Sequence, residues 1–191
     1  GFVVIFVPPC YVDEAVAAVA GTAVQVGIPI GFPLGGHSTH AKVTEAIEAV
    51  AHGARVLDMV INISLLKSGD YDFVRQDMAA VVRATPGVNH KVILETCLLT
   101  REEKITACRL AVEAGMDYVK TSTGFNQAGA TVEDVRLMKE AVSGRAKVKA
   151  SGGIRDWKST RALLEAGADR IGTSASLKIL DEWRAEQTAG R

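Results

Sequence analysis

Three short segments share one design, and that design limits the fold more than any other feature of the chain. They are Gly53-Ala54-Arg55-Val56-Leu57-Asp58, Gly115-Met116-Asp117-Tyr118-Val119-Lys120 and Gly167-Ala168-Asp169-Arg170-Ile171-Gly172. Each holds a glycine, then a small residue or Met, then a charge, then a strand-like run. The glycine stops a helix, because only glycine enters the left-handed conformation there without strain. A strand that begins three residues after a helix stops, three times over, points to alternating strands and helices. That alternation belongs to a parallel sheet.

The remaining chain fits the same rhythm. Apolar runs predict strands over residues 3–7, 24–30, 56–63, 91–96, 117–120, 147–150 and 170–172. Between them the spacing predicts helices over 11–20, 39–52, 70–84, 131–142, 156–165 and 176–187. One further helix opens on the capping-box pattern Thr100-Arg101-Glu102-Glu103 and stops at Gly115. Near-continuous apolar strands with helices between them suit either a barrel or a doubly wound sheet. No Gly-rich dinucleotide turn follows the first strand. Glycine, hydroxyl and amide residues instead cluster after nearly every strand, as they do at the catalytic face of a barrel. The expected fold class is therefore α/β, a (β/α)8 TIM barrel, in a single domain over residues 1–191. Only seven strands are counted, whereas this barrel has eight and usually at least about 200 residues. The chain starts at Gly1 without Met. The expectation is a barrel lacking its N-terminal first strand unit, in a chain that begins inside a longer parent.

Composition narrows the partners. The 191 residues are 48% hydrophobic, enough for one sizeable core. Lys and Arg number 22, as do Asp and Glu, and the two signs are interspersed. No basic patch stands out, which argues against nucleic acid. The apolar opening over residues 2–7 ends at Pro8-Pro9 and is too short to cross a membrane. The three cysteines form no Cys-x-x-Cys pair, so a reduced cytoplasmic chain is expected, with the thiols acting as small hydrophobes.

Lysines at the ends of two neighbouring strands carry the functional reading. Lys120 closes the run Tyr118-Val119 and precedes Thr121-Ser122-Thr123-Gly124. Hydroxyls follow it rather than a carboxylate. A buried lysine with no counter-ion loses its proton, and a neutral amine can attack a carbonyl to form a Schiff base. Lys149 lies at the same depth on the next strand, just before Ser151-Gly152-Gly153. It serves either to lower the pKa of Lys120 by like-charge repulsion or to hold a phosphate. Lys147 shares its parity, and only the strand-end position favours Lys149. Asp58, in the apolar run 56–61, reads either as a structural ion pair with a lysine or as a general acid/base. Glu95 raises the same question, with a network role favoured.

The loops after the last strands supply a candidate phosphate site. Gly152, Gly153, Gly172 and Ser174 place glycines and free N–H groups where barrels commonly hold phosphate. Thr123 and Gly124 add donors after Lys120. The four histidines show no metal-site spacing; His37 and His40 read as solvated loop residues.

Several motifs in order resemble the deoxyribose-phosphate aldolase family of class I aldolases. They are Gly31-Phe32-Pro33-Leu34-Gly35, Asp58-Met59-Val60-Ile61-Asn62, Leu66-Lys67-Ser68-Gly69-Asp70-Tyr71, Glu95-Thr96-Cys97-Leu98-Leu99, Lys120-Thr121-Ser122-Thr123-Gly124-Phe125 and Lys149-Ala150-Ser151-Gly152-Gly153-Ile154-Arg155. The resemblance runs over essentially the whole chain. It implies reversible cleavage of 2-deoxy-D-ribose 5-phosphate to acetaldehyde and D-glyceraldehyde 3-phosphate. It implies Lys120 as the Schiff-base lysine, Lys149 as the neighbour that lowers its pKa, and Asp58 as the proton-relay partner. It implies no metal or organic cofactor, a small sugar phosphate as the partner, and leaves room for a homodimer. There are departures. Family members begin with a further segment carrying an Asp-His-Thr motif, which is not in this sequence. Phe6 and Pro8 stand where many members have Cys and Asn or Tyr, and Ser174 is followed by Ala175 rather than by a second serine. A Schiff-base barrel acting on another aldehyde or keto acid is one alternative. A truncated, inactive barrel that only binds a sugar phosphate or a partner chain is another.

Overall fold

Among the described residues, seven strands form one all-parallel sheet, in the order in which they occur along the chain. They are β1 (Val4–Phe6), β2 (Gln25–Ile30), β3 (Val56–Val60), β4 (Asn89–Ile93), β5 (Tyr118–Lys120), β6 (Lys147–Ser151) and β7 (Arg170–Gly172). The helices are α1 (Val12–Ala18), α2 (Thr39–Ala51), α3 (Ile63–Lys67), α4 (Tyr71–Ala84), α5 (Arg101–Glu113), α6 (Val132–Val142), α7 (Trp157–Glu165) and α8 (Ser176–Ala189). The structure, a computed structural model, describes residues 2–189.

Alternation along each strand sorts the side chains into two layers. Val26, Ile28, Ile30, Leu57, Met59, Val92, Val119, Val148 and Ala150 face the helices. There they join Ala46 and Ala49 of α2, Val74 and Met78 of α4, Ala107 and Ala111 of α5, and Val135 and Met138 of α6 in one apolar core. The other parity, which includes Phe6, Asp58, Lys91, Lys120 and Lys149, faces the opposite side of the sheet.

That side is concave. On a flat sheet five strand spacings would set β1 about 24 Å from β6. The Phe6 ring of β1 nevertheless lies with its centre 3.9 Å from the Lys149 Nζ of β6. The sheet must curl, as in a TIM barrel, to bring them together. Gly27 of β2 makes room for this ring, since a Cβ there would stand 2.6 Å from it.

Most boundaries fall within two residues of the sequence expectation; two strand ends differ by three, and each has a local cause. The third strand ends at Val60 rather than at residue 63, because Asn62 starts a helix. Its Oδ1 accepts the Leu65 N–H at 3.1 Å, a cap for the unexpected α3. The fourth strand spans Asn89–Ile93, and Glu95 leaves it in the left-handed region at φ 57°. That conformation costs a non-glycine residue about 1–2 kcal/mol. The expected capping box is present: the Thr100 side chain accepts the Glu103 N–H at 3.2 Å, and Glu103 accepts the Thr100 N–H at 2.8 Å. The thiols divide. Cys108 packs in the core as a small hydrophobe, while Cys10 is exposed and does not. No helix among the described residues is long and apolar enough to cross a membrane.

Candidate active site

Register places the charged residues. Lys120 of β5 pairs directly with Lys149 of β6, and Asp58 of β3 pairs with Lys91 of β4. Hydrogen bonds beyond the strand ends lock this arrangement. Thr121 Oγ1 donates to the Ser151 carbonyl at 2.9 Å and accepts the Ser151 N–H at 3.1 Å. Ser151 Oγ donates to the Ser122 carbonyl at 2.7 Å.

Asp58 is the centre of the cluster and is 1% exposed. Its Oδ2 accepts from Lys120 Nζ and from Lys149 Nζ, each at 2.7 Å. Its Oδ1 stands 3.4 Å from Lys91 Nζ, an ionic contact without hydrogen-bond geometry. Three amines therefore surround one carboxylate. Lys120 does have a carboxylate partner, contrary to the expectation of an amine with no counter-ion. The two readings of Asp58 also merge, because an ion pair with both lysines lies where a proton relay would.

Three cations cannot all be balanced by one anion in a dry site. Burial pushes the Lys149 ammonium down to about 7, with the charges of Lys120 and Lys91 adding to burial and Asp58 opposing it. Burial likewise lowers Lys91 to about 8, where Asp58 opposes and Arg170 and Lys120 assist. For Asp58, burial acts upward, but attraction to Lys120, Lys149 and Lys91 wins and holds the carboxyl well below the usual carboxylate range. The cluster thus keeps its anion and sheds protons from amines near neutral pH.

Lys91 is a member that sequence reasoning did not single out. Its signal was weak: it opens the expected strand 91–96 after the polar Asn89-His90, and only its shared parity with Glu95 points it to the same face. Lys147 separates from Lys149 as position alone suggested. It is exposed and lies with Tyr118, Asn89 and Arg170 around a cavity of about 530 Å³ at the N-terminal ends of the strands, away from Asp58.

The candidate phosphate residues sit on loops at the C-terminal ends of β5, β6 and β7, except Gly172, which closes β7 itself. Gly124, Gly152 and Gly153 all have positive φ, at 91°, 88° and 75°. Thr173 Oγ1 donates to the Ile154 carbonyl at 2.7 Å, which ties the β7 loop carrying exposed Ser174 to the β6 loop carrying Gly153. Gly172 lies against Lys149, whose Cε would be 3.0 Å from a Cβ placed there. Thr123 is already engaged: both its hydroxyl and its N–H donate to Glu95. Asn126 Nδ2 adds a third bond to Glu95, at 3.0 Å. Glu95 is thus a clasp on the loop after Lys120, not part of the Asp58 cluster. Among the described residues no group of three or more His, Cys, Asp or Glu side chains could hold a metal ion.

Known proteins share this chain's sequence and shape. A model of the DeoC/LacD family of aldolases matches residues 11–182. A deoxyribose-phosphate aldolase of Thermoanaerobacter sp. (strain X514) is 54% identical over 186 residues, 96% of this chain and 83% of the relative. Among solved structures, an aldolase designated QR15 superposes with a TM-score of 0.92 at 47% identity, over 97% of this chain and 83% of that one. A tetrameric deoxyribose phosphate aldolase from Aeropyrum pernix gives a TM-score of 0.87 at 32% identity, over 95% and 77%. With a family model across nine-tenths of its length and relatives above half identity, the chain belongs to the DeoC/LacD family of aldolases.

Proposed function

We propose that the protein is a class I aldolase, a lyase that reversibly cleaves 2-deoxy-D-ribose 5-phosphate to acetaldehyde and D-glyceraldehyde 3-phosphate. Lys120 is the nucleophile, and Asp58 and Lys149 are its proton carriers. One observation supports this most directly: the Nζ atoms of Lys120 and Lys149 share a single oxygen of Asp58, each at 2.7 Å. With its pKa near 7, Lys149 is the amine that stands ready as a base. It takes a proton from Lys120 by way of Asp58, with little movement of any heavy atom. Neutral Lys120 then attacks the substrate aldehyde carbon, water leaves, and an iminium forms. The iminium draws the electron pair of the adjacent carbon–carbon bond as the neighbouring hydroxyl gives up its proton. D-glyceraldehyde 3-phosphate departs, and a two-carbon enamine stays on Lys120. Protonation of the enamine carbon and hydrolysis release acetaldehyde and restore the amine.

The phosphate end of the substrate is assigned to the loops carrying Gly124, Gly152, Gly153 and Ser174, with Thr123 and Gly172 shaping them. Unbonded N–H groups at positive φ suit an anion. The domain is taken as one unit over residues 1–191, and the setting as the cytoplasm. The finer architecture proposed is a (β/α)8 TIM barrel lacking its first strand unit. Among the described residues β1 pairs only with β2 and β7 only with β6, so each carries an unpaired edge. A homodimer is the assembly proposed, to be read by light scattering, with a tetramer as the competing outcome.

The deciding experiment is borohydride trapping with substrate, followed by peptide mapping. A reduced adduct on Lys120 is expected. An adduct on Lys149 or Lys91 instead would overturn the assignment.

A further inference from the structure

We propose that Glu95 is a positioning residue for recognition of the substrate phosphate. Its buried carboxylate sets the backbone of residues 123–126, so that the free Gly124 N–H faces the anion. The proposal rests on Lys120 as the Schiff-base lysine and on the phosphate end lying at the β5 and β6 loops.

Glu95 stands two residues past the end of β4 and is 0% exposed. Its backbone is held in the left-handed region, at φ 57°, where a residue with a Cβ is strained. Strain of this kind concentrates at sites that make use of it. The carboxylate accepts three hydrogen bonds, and all three come from one four-residue segment. Thr123 gives its hydroxyl and, at 3.2 Å, its N–H, and Asn126 gives Nδ2 at 3.0 Å. Burying a carboxylate among neutral donors is a costly way to hold a loop. An amide would not serve in its place. Glutamine has one acceptor oxygen, and its NH2 group would meet the donors of Thr123 or Asn126.

The segment so held leads into the anion loops. Gly124 lies inside it at φ 91°, and a Cβ there would have nothing within 4 Å, so the space beside it is open. Among the described residues the Gly124 N–H donates to nothing, whereas the Phe125 N–H is taken by Thr123 Oγ1 at 3.1 Å. Further along, the Ala130 N–H donates to the Gly152 carbonyl at 3.1 Å, and Gly129 lies so close to that carbonyl that no Cβ fits. The segment is thus pinned by Glu95 at one end and by the β6 phosphate loop at the other. Lys120 is held by separate bonds. Its carbonyl accepts the Leu94 N–H at 2.9 Å, and the Thr121 N–H donates to the Lys149 carbonyl at 3.1 Å. Loosening the grip of Glu95 therefore disturbs the phosphate end more than the amine.

The test compares steady-state kinetics on 2-deoxy-D-ribose 5-phosphate and on 2-deoxy-D-ribose. Glu95→Gln is expected to lower the preference for the phosphorylated sugar, as a ratio of kcat/KM values, about tenfold. The loss should appear in KM for the phosphorylated sugar rather than in kcat. Asn126→Ala, which removes one of the three bonds at an exposed position, should act in the same direction by less. Should Glu95→Gln fail to fold, Asn126→Ala decides the matter. A folded variant that loses activity on both sugars alike, or keeps the wild-type ratio, overturns the role of Glu95. A wild type with no preference for the phosphorylated sugar, or with no borohydride adduct on Lys120, overturns the proposed function instead, so the two failures are told apart.

Discussion

Two places in this molecule bury lysine against aspartate, and they are built to opposite ends. Behind the sheet, Lys42 of α2 meets Asp77 of α4 at 2.6 Å, with the two side chains 0% and 1% exposed. Lys42 Nζ also donates to the Val60 carbonyl at 3.1 Å, and Asp77 Oδ1 accepts from Thr39 Oγ1 at 2.7 Å. One cation meets one anion, and both are hydrogen-bonded further. On the concave side, Asp58 faces Lys91, Lys120 and Lys149. There Asp58 Oδ1 and Lys91 Nζ have no hydrogen-bond partner. Burial is the same in both places, so charge balance distinguishes them. In the balanced pair burial still lowers the Lys42 pKa but Asp77 opposes it, and the pair fixes two helices. In the unbalanced cluster burial and neighbouring cations bring Lys149 to about 7 and Lys91 to about 8, where protons move near neutral pH.

Removing the nucleophile should have the largest effect. Lys120→Met is expected to lower turnover about 10⁴-fold or more, because no covalent intermediate can form. It should leave thermal unfolding close to that of the wild type, since Asp58 keeps two cationic neighbours. Next in size is Lys42→Met. It strands a buried carboxylate at Asp77 and should cost about 3–5 kcal/mol in urea unfolding. The folded fraction should still form the imine at Lys120. If Lys42→Met abolished trapping in folded protein, or Lys120→Met unfolded the chain, the division between the two regions would fail.

A smaller effect separates the amines within the cluster. Lys149→Met is expected to lower kcat/KM about 10²–10³-fold, in the range of a lost proton carrier. The sign of the pH dependence follows from its lowered pKa. Lys149 is a usable base only when neutral, so wild-type activity should rise as pH passes upward through about 7. In Lys149→Met that rising limb should vanish. A limb that stays at the same pH would assign the titration to another group.

How much of this could be read in the chain depends on how far apart the cooperating residues lie. The strand–helix alternation was visible because glycine stops at residues 53, 115 and 167 are local signals. Lys120, Lys149 and Asp58 stood out because a charge in an apolar strand is costly wherever its partner lies. Asn62 misled: inside an apolar run it looked like a strand residue, and only its bond to the Leu65 N–H reveals a helix cap. Residues 39–52 read only as a helix from their apolar spacing, so the buried ion pair of Lys42 with Asp77 was missed. Their meeting depends on how α2 and α4 pack, which spacing along one helix cannot express. The contacts of Phe6 with lysines on β4, β5 and β6 were equally hidden. They exist only because the sheet curls.

The smallest expected effect is also the most specific to charge balance. Lys91 is fully buried, and its Nζ, which makes no hydrogen bond, has a 3.4 Å ionic contact with Asp58 and the rings of Tyr118 and Phe6 at 5.3 and 5.7 Å. Its pKa in the folded chain, about 8, lies below the ordinary lysine value of 10.5. A lysine depressed in this way weakens the fold at pH values below its folded pKa. The penalty fades as pH climbs from about 8 toward 10.5, where the unfolded chain loses its proton too. Lys91→Met should therefore stabilise the protein by about 1–2 kcal/mol at pH 7, and the gain should shrink at pH 10. The same change at Lys42 destabilises, although both lysines are buried beside an aspartate. Removing the Lys91 charge also lifts one source of repulsion from Lys149, so the rising limb of activity should move to higher pH. Urea unfolding at pH 7 and 10, with pH–rate profiles of the same variant, would register both shifts. A loss of stability at pH 7 would mean that Lys91 is a needed partner of Asp58 rather than an excess charge.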